Sequence, residues 1–360
     1  MRRVSIIPVL FFAILLVPSL AQPQSSGDRD DAVARIERFE ESLGHQIDVL
    51  SKQIDDVTWF ERVGDVAVVE KVRIYGPPKW KEKNPNAPGA GNPFRFYTYM
   101  FTPRESFGGA KLPLLVLPHG GVHADFTTYY THIVRELIAQ GYIVVAPEYR
   151  GSTGYGPDMY ESIDYGGLEV QDTLAARDWA AENHPRVDSS RVGLIGWSHG
   201  GLITLMSLFD HPDKYIVGFA GVPVSDLVLR LGYMTDGYRD LYSADYFIGE
   251  TVRENMEEYK RRSPVWHAAK LRRPVRIHGN RSDEDVNVIE VERMIQALKA
   301  EGKTFESEIY DLPGGHSFDR LDTPEAWKVR KVIYAYLARH LNPPRPGINL
   351  GITPEGRAAP

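Results

Sequence analysis

The sequence Val192-Gly193-Leu194-Ile195-Gly196-Trp197-Ser198-His199-Gly200 joins an apolar run to the pattern Gly-x-Ser-x-Gly. This pattern is typical of a serine nucleophile on a sharp turn between a strand and a helix. The apolar run supplies the strand, and the helix-like stretch 202–208 follows it. The glycines leave room for a strained turn, and the N-terminus of the next helix favours negative charge near the serine hydroxyl. The stretch therefore predicts that Ser198 is a nucleophile at the edge of a sheet.

A serine hydroxyl needs a base, and the base needs a group that orients it. In hydrolases with this turn the three residues follow in the order Ser, acid, His. His316 lies in a loop after the strand-like stretch 305–310, and Asp283 lies in a loop after the strand-like stretch 274–277. Open α/β sheets build their sites at this edge. We therefore expect a Ser198, Asp283 and His316 triad, with Asp285 as the alternative acid.

Strand-like and helix-like stretches alternate along most of the chain. The strands are predicted at 112–117, 143–147, 191–196, 216–221, 274–278 and 304–310, and the helices at 126–140, 168–183, 198–209, 288–300 and 323–341. This alternation indicates a mostly parallel, doubly wound sheet with helices on both faces. The predicted fold class is α/β.

Further motifs occur in a fixed order around the serine turn: Pro118-His119-Gly120-Gly121, Tyr149–Gly156, Gly200-Gly201, Tyr259 with Ser263-Pro264, Asp283 with Val286, and Gly315-His316. With these motifs, residues 94–341 resemble the catalytic domain of the prolyl oligopeptidase family of serine peptidases. The style is that of its acylaminoacyl-peptidase and dipeptidyl-peptidase members. The resemblance implies the α/β-hydrolase fold and the triad Ser198, Asp283 and His316. It favours Asp283 over Asp285 because Val286 follows Asp283 by three residues.

The resemblance also implies an oxyanion hole, made by the backbone N–H groups of His199 and Gly121. Glycine suits the second position because the backbone itself must approach the substrate carbonyl. We expect the side chain of His199 to pack beside the serine turn. For His119 and His123 we expect hydrogen bonds that shape the glycine-rich loop.

Other charged residues are predicted to stabilise the scaffold. Glu169 and Asp172 are expected to pair with Arg150, and Asp188 with Arg191 (the latter pair flanks the start of the nucleophile strand). The sequence has no cysteine, no His cluster with metal-ligand spacing, and no phosphate-binding or dinucleotide motif. We therefore expect no metal and no cofactor. The formal net charge of −6 argues against a nucleic-acid partner.

The N-terminus predicts export. Met1-Arg2-Arg3 is a positive n-region, residues 4–20 are apolar, and Ser19-Leu20-Ala21 offers small residues at a cleavage site. Residues 1–21 are therefore predicted to be a signal peptide, with an uncleaved anchor as the alternative. No later stretch is apolar for long enough to cross a membrane. The expected location is the periplasm or the extracellular space.

Residues 22–93 are predicted to form an N-terminal extension, residues 94–341 the catalytic domain, and residues 342–360 a flexible tail. Apolar residues of the extension recur at helical spacing and form one stripe: Ile36, Phe39, Leu43, Ile47, Leu50 and Ile54. A strand near 66–74 follows. We expect the stripe to pack on the chain's own catalytic domain. The alternative is a homo-oligomer in which two copies pair through this helix.

Two departures from the family pattern bear on the substrate. The large family members carry a β-propeller before the catalytic domain, and we expect none here. Control of access would then come from the N-terminal helix or from the tyrosine-rich stretch 225–265 as a cap. Asp285 stands where the peptidases often have Arg or Asn, and an ionised carboxylate only accepts hydrogen bonds.

The sequence thus predicts a secreted serine hydrolase, in the first place a peptidase that cleaves short peptides or N-blocked amino acids through an acyl-enzyme. The alternative is a carboxylesterase that acts on small or carbohydrate-linked esters. A non-catalytic binding module is the third hypothesis, and the three triad residues together with two glycine-rich loops argue against it.

Overall fold

The computed structural model of the protein describes residues 26–346; the predicted signal peptide and residues 347–360 of the predicted tail lie outside this range. The α-helices are α1 Ser26–Val63, α2 Thr131–Gln140, α3 Pro157–Tyr160, α4 Leu168–Asn183, α5 His199–Asp210, α6 Leu227–Tyr233, α7 Asp236–Ser243, α8 Met256–Arg261, α9 Val288–Ala300 and α10 Pro324–Leu341. The strands are β1 Ala67–Gly76, β2 Phe94–Pro103, β3 Leu112–Val116, β4 Ile143–Glu148, β5 Val187–Trp197, β6 Val217–Gly221, β7 Val275–Asn280 and β8 Glu306–Tyr310.

All eight of these strands form one sheet in the order β1-β2-β4-β3-β5-β6-β7-β8. The pairs β1–β2 and β2–β4 are antiparallel, and every other neighbouring pair is parallel. The prediction of a mostly parallel sheet is confirmed. The order reverses between β4 and β3, as is usual when crossover helices are laid on both faces of a sheet.

The two faces of the sheet carry separate apolar cores because successive strand residues point to opposite sides. Leu114 and Val116 of β3 belong to the core beneath α4, α5 and α9, whereas Leu115 belongs to the core beneath α2 and α10. Every residue of β3, β4 and β6 is buried. This near-continuous burial is typical of parallel strands that are covered on both faces.

A compact unit begins at His45, earlier than the predicted boundary at residue 94. The reason is that β1 and β2 pair along their full length, so a boundary at residue 94 would separate two hydrogen-bonded strands. The second half of α1 belongs to this unit as well. Residues up to Gly44 form a unit of their own, whose described part is the first half of the same helix.

The predicted packing of the α1 stripe is wrong. Ile47, Leu50 and Ile54 are exposed, and the helix contacts the sheet through the opposite side, where Trp59 is buried and stacks on Phe126 at 5.2 Å. Lys52, on this buried side, is paired with carboxylates of the catalytic domain. The spacing of apolar residues could not reveal this, because the buried side of the helix includes the charged Lys52 beside Trp59 and Val63.

The tyrosine-rich stretch 225–265 forms the three short helices α6, α7 and α8. Tyr242 and Phe247 are buried here and pack around Tyr165. Arg230 and Tyr233 of α6 reach the loop that follows β7. Among residues 26–346, no helix is both long enough and apolar enough to cross a membrane.

Candidate active site

The nucleophile turn lies between β5 and α5. Ser198 has φ 58° and ψ −123°, a backbone conformation that residues with a side chain rarely adopt. A Cβ atom at Gly200 would overlap the carbonyl oxygen of Pro118, and one at Gly196 would overlap the carbonyl oxygen of Gly200. These two glycines are therefore what allows the chain to turn so tightly. The turn places Ser198 directly before the N-terminus of α5, as the sequence predicts.

The predicted acid and base are joined by a hydrogen bond. Asp283 Oδ2 lies 2.8 Å from His316 Nδ1, and the side chain of Asp283 is fully buried. Its other oxygen, Oδ1, accepts the backbone N–H groups of Asp285 at 2.9 Å and Val286 at 2.8 Å. The carboxylate is thus held by the turn of its own loop, and it can fix one tautomer and one orientation of the imidazole ring.

The alternative acid, Asp285, occupies a different place. Its Oδ2 lies 3.6 Å from His316 Nε2, which is the other nitrogen of the ring, while its Oδ1 pairs with Arg230 at 2.9 Å. A triad acid must bond Nδ1 so that Nε2 is left for the nucleophile. The geometry therefore favours Asp283 over Asp285 as the triad acid.

Ser198 meets the other two residues at the same edge of the sheet. It follows β5, whereas Asp283 follows β7 and His316 follows β8. Among the hydrogen bonds of residues 26–346, none joins the Ser198 hydroxyl to His316. Such bonds are often long in the absence of substrate and tighten when it binds. The structure thus joins the predicted acid to the predicted base, and Ser198 follows another strand of the same sheet edge.

The two predicted oxyanion donors belong to residues that are in contact with each other, His199 and Gly121. His199 is the first residue of α5, so its N–H has no acceptor within the helix. Gly121 has φ 89°, and its carbonyl oxygen lies 2.9 Å from Nδ1 of the His199 ring. This contact fixes the glycine-rich loop against the serine turn. The oxyanion hole stays a prediction, and the geometry is compatible with it.

The side chain of His199 is buried in a polar network that the sequence did not reveal. Its Nε2 lies 3.1 Å from Glu169 Oε1, and its ring stacks on Tyr165 at 3.7 Å. Glu169 also accepts the backbone N–H groups of Gly166 and Gly167. The prediction that Glu169 pairs with Arg150 is therefore wrong, because its carboxylate is used to hold the start of α4 against His199.

Asp172 alone pairs with Arg150. The guanidinium and the carboxylate are both fully buried and form two hydrogen bonds, of 2.7 and 2.9 Å. Arg150 also donates to the carbonyl oxygens of Pro77 and Pro78, so it holds the loop before β2 against the sheet. The predicted pair Asp188–Arg191 is present as well, at 2.7 Å.

His119 and His123 shape the glycine-rich loop, as predicted. His119 Nε2 lies 2.9 Å from Ser152 Oγ, and His123 Nδ1 lies 2.9 Å from the carbonyl oxygen of Gly151. Burial disfavours the charged form of each ring and lowers the pKa of His119 to about 3 and that of His123 to about 4. Both rings are therefore neutral at physiological pH.

Arg230 and Glu290 are a pair of site residues that sequence reasoning missed. Arg230 on α6 donates to Glu290 Oε1 at 3.2 Å and to the Tyr238 hydroxyl at 2.9 Å. It also donates to the side chain and to the carbonyl oxygen of Asp285. Glu290 is fully buried and also accepts from the backbone of Ser225. No motif signals this pair, because its members lie 60 positions apart on two helices.

Within residues 26–346, no three His, Cys, Asp or Glu side chains lie close enough together to hold a metal ion. The elements that the site does contain are a strained serine at a strand-to-helix turn and a buried aspartate side chain bonded to a histidine. The fold and this arrangement define the class as a serine hydrolase of the α/β-hydrolase fold.

Comparison with known proteins gives the family. Residues 128–343 match the model of the prolyl oligopeptidase family, and the chain belongs to that family. The uncharacterized peptidase YuxL of Bacillus subtilis is 28% identical over 249 residues, which cover 68% of this chain and 37% of that protein. The acylamino-acid-releasing enzyme of Mus musculus is 30% identical over 216 residues, which cover 57% of this chain and 29% of the enzyme.

Solved structures agree on the fold. The acylaminoacyl peptidase of Pyrococcus horikoshii superposes with a TM-score of 0.64 at 20% identity, covering 79% of this chain and 43% of that one. A puromycin-hydrolyzing peptidase of Mycobacterium tuberculosis gives a TM-score of 0.60 at 22% identity, with 77% and 40% of the two chains covered. The present chain thus matches about a third of the length of the two curated relatives named above, and less than half of these solved chains.

Proposed function

We propose that this protein is a serine peptidase that cleaves short peptides or N-blocked amino acids through an acyl-enzyme. The observation that carries the proposal is the 2.8 Å hydrogen bond between Asp283 and His316, at the sheet edge where Ser198 stands in its strained turn. The family of the chain supports the same reaction.

In the proposed reaction, the Ser198 hydroxyl attacks the substrate carbonyl while Nε2 of His316 accepts its proton. The backbone N–H groups of His199 and Gly121 donate to the oxygen that becomes negative. His316 then gives its proton to the leaving amine, so the C–N bond breaks and an ester to Ser198 remains. Water, activated by the same ring, hydrolyses this ester. Asp283 holds the tautomer and stabilises the imidazolium that forms.

A fluorophosphonate probe tests the nucleophile because it forms a covalent bond with an activated serine. We expect the purified protein to be labelled and the Ser198→Ala variant to be neither labelled nor active. Ser207 lies on α5 nine residues further on and is buried in the core, so Ser207→Ala is a matched control that should keep its label. Equal labelling of the wild type and Ser198→Ala would refute the assignment.

A carboxylesterase is the second candidate, and one observation favours it. Asp285, at the mouth of the site, accepts hydrogen bonds at the position where the peptidases often have a donor for a peptide carbonyl. Comparison of kcat/KM on acyl nitroanilides and on the matching nitrophenyl esters separates the two functions. Ester turnover alone is compatible with both, but complete absence of amide turnover would exclude the peptidase.

We also propose that the protein acts outside the cytoplasm. The support is the sequence of residues 1–21, where two arginines precede an apolar run and a small-residue cleavage site. N-terminal sequencing of protein recovered from cell fractions tests this. A mature chain that begins at Gln22 in the periplasm or medium is expected, and a chain that keeps Met1 in the cytoplasm would refute it.

A further inference from the structure

One carboxylate oxygen near the catalytic histidine lacks a hydrogen-bonding partner. The Asp285 side chain is 46% exposed, and its Oδ2 faces His316 Nε2 at 3.6 Å. Within the described part of the chain, this oxygen accepts no hydrogen bond. Since Nε2 is the atom that exchanges protons with the nucleophile in the proposed reaction, Oδ2 lies within a few ångströms of the place where a substrate carbonyl would be attacked.

The position of this carboxylate is fixed from behind. Arg230 donates to Asp285 Oδ1 at 2.9 Å and to the Asp285 carbonyl oxygen at 3.0 Å. The guanidinium is almost completely buried and is itself held by Glu290 and by the Tyr238 hydroxyl. Asp285 therefore presents Oδ2 to the site in one orientation, which is the condition for specific recognition of a ligand.

Arg230 does not cover the whole Asp285 carboxylate. Its guanidinium contacts two carboxyl groups, Asp285 and the fully buried Glu290, and it reaches only Oδ1 of the Asp285 carboxylate. Oδ2 of Asp285 is the exposed acceptor of the group. A cation is the ligand that such a site stabilises, whereas a carbonyl oxygen would be repelled because neither group has a proton to donate.

We infer that Asp285 binds the protonated α-amine of a substrate's N-terminal residue, with Arg230 as its positioning residue. The inference rests on the proposed peptidase function and narrows it. A free α-ammonium group is separated from the first carbonyl carbon by a single carbon atom, so it reaches a carboxylate beside the reaction centre. An N-acylated residue has a neutral amide there instead. The protein thus releases single residues from free N-termini in preference to N-blocked ones.

The test compares two nitroanilides of one amino acid, the first with a free α-amine and the second N-acetylated. We expect the wild type to prefer the free amine, and Asp285→Asn to lose about 10- to 100-fold in kcat/KM on that substrate, because a charge-assisted hydrogen bond is lost. Turnover of the N-acetylated substrate should stay the same or rise. Asp213→Asn removes an almost fully exposed carboxylate at the opposite edge of the sheet and is the matched control.

The outcomes separate this inference from the proposed function. If both nitroanilides are cleaved and Asp285→Asn slows them equally, the amine site is refuted and the peptidase stands. If neither is cleaved, the peptidase is refuted. In that event, the free and the N-acetylated nitrophenyl esters of the same amino acid are compared in the same way. The amine site is thus tested whether or not amides are cleaved.

A second inference rests on a different observation, the exposed stripe of α1. Five large apolar residues of the second half of this helix are more than half exposed: Ile47, Leu50, Ile54, Val57 and Phe60. A row of exposed apolar side chains on one element marks an interaction surface more often than single exposed residues do. The helix cannot rotate to hide them, because Lys52 and Trp59 on its other side are buried.

The spacing of the stripe fits a second helix. Ile47, Leu50, Ile54 and Val57 are spaced by three, four and three residues, which is the seam of a two-helix coiled coil. Beside the seam lie Ser51 and Gln53, which carry no charge, so two identical helices meet without repulsion there. We propose that a second copy of this chain covers the stripe.

Sedimentation velocity over a range of concentrations tests the dimer. We expect the wild type to be dimeric and Leu50→Glu with Ile54→Glu to be monomeric but still folded by circular dichroism, since both side chains are exposed in the single chain. Val332→Gln replaces an apolar residue that is 39% exposed on another helix, α10, and should stay dimeric. A monomeric wild type would refute the proposal.

Discussion

Lys52 of α1 places its ammonium nitrogen 2.6 Å from Glu148 Oε1 at the end of β4, and both side chains are buried. Asp125 Oδ2 lies 3.1 Å from the same nitrogen, and the carbonyl oxygen of Phe126 lies at 2.7 Å. Burial alone would lower the pKa of Lys52, but the two carboxylates outweigh it and the pKa is raised. Lys52 therefore holds the helix against the sheet. Its removal would leave Glu148 and Asp125 without this cation.

Lys52→Met should destabilise the protein strongly, because it leaves the buried Glu148 without its partner. Removal of one member of a buried pair typically costs about 3–5 kcal/mol. Lys52→Met combined with Glu148→Gln should recover part of this loss, since the unpaired charge is then gone. Urea unfolding of the single and double variants measures the difference. If Glu148→Gln lowers the free energy of unfolding of Lys52→Met by as much as it lowers that of the wild type, the pairing argument is wrong.

Asp283→Asn should lower kcat by about 10³–10⁴ on every substrate, because an asparagine no longer holds the catalytic tautomer of His316. Asp285→Asn should leave kcat on N-acetylated substrates near the wild-type value. Steady-state kinetics of the two variants, with circular dichroism as the control for folding, decide between the acids. A larger loss in Asp285→Asn on all substrates would reverse the assignment of the triad acid.

Gly121→Ala should lower kcat by about 10²–10³ while KM changes little, because the donor that it displaces acts on the transition state. At φ 89° a side chain is strained, and its Cβ would meet that of Ala124 at 2.5 Å. Gly302→Ala is the control, since Gly302 also has a positive φ but lies in open space away from the site. Equal activity of both variants would exclude Gly121 from the oxyanion hole.

Acid should destabilise the loop that carries Gly121. The folded state lowers the pKa of His123 from 6.5 to about 4, through burial first of all, so the neutral ring is the form that the fold stabilises. Between pH 6.5 and 4, His123 is protonated in the unfolded chain but not in the folded chain. The free energy of unfolding therefore falls by about 1.4 kcal/mol for each unit by which the pH is lowered.

His123→Gln should therefore flatten the pH dependence of the unfolding free energy over this interval, although the variant is less stable than the wild type at pH 7. Chemical denaturation at several pH values between 4 and 7 measures both slopes. Parallel slopes in the variant and the wild type would contradict the lowered pKa.

Much of the catalytic half of the molecule follows from local pattern. Gly196 and Gly200 predict the turn, because a Cβ atom at either position would overlap the backbone. The strands that precede Asp283 and His316 are indicated by their strand-like stretches. The alternation of strand-like with helix-like stretches predicts a parallel sheet, and the strand order confirms it. The prediction succeeds because parallel strands are buried on both faces and are therefore apolar along most of their length.

What the sequence did not reveal depends on contacts between distant residues. The buried face of α1 is formed by Lys52, Trp59 and their partners on other elements. The spacing of the apolar residues therefore predicted burial of the opposite face, which is exposed. Glu169 pairs with His199 and not with Arg150, because tertiary packing decided between two carboxylates one helical turn apart. The Arg230–Glu290 pair has no local signal at all. Burial and pairing of charges are properties of the folded chain, and no single segment carries them.

The backbone of Ser198 has a consequence for how this protein can be changed. Its φ of 58° with ψ −123° costs about 1–3 kcal/mol for a residue with a Cβ, and glycine would remove that cost. Ser198→Gly should therefore melt at a higher temperature than Ser198→Ala, although both are inactive. Directed evolution for heat resistance alone would discard the reactive residue, so any selection for a hardier variant has to be coupled to turnover.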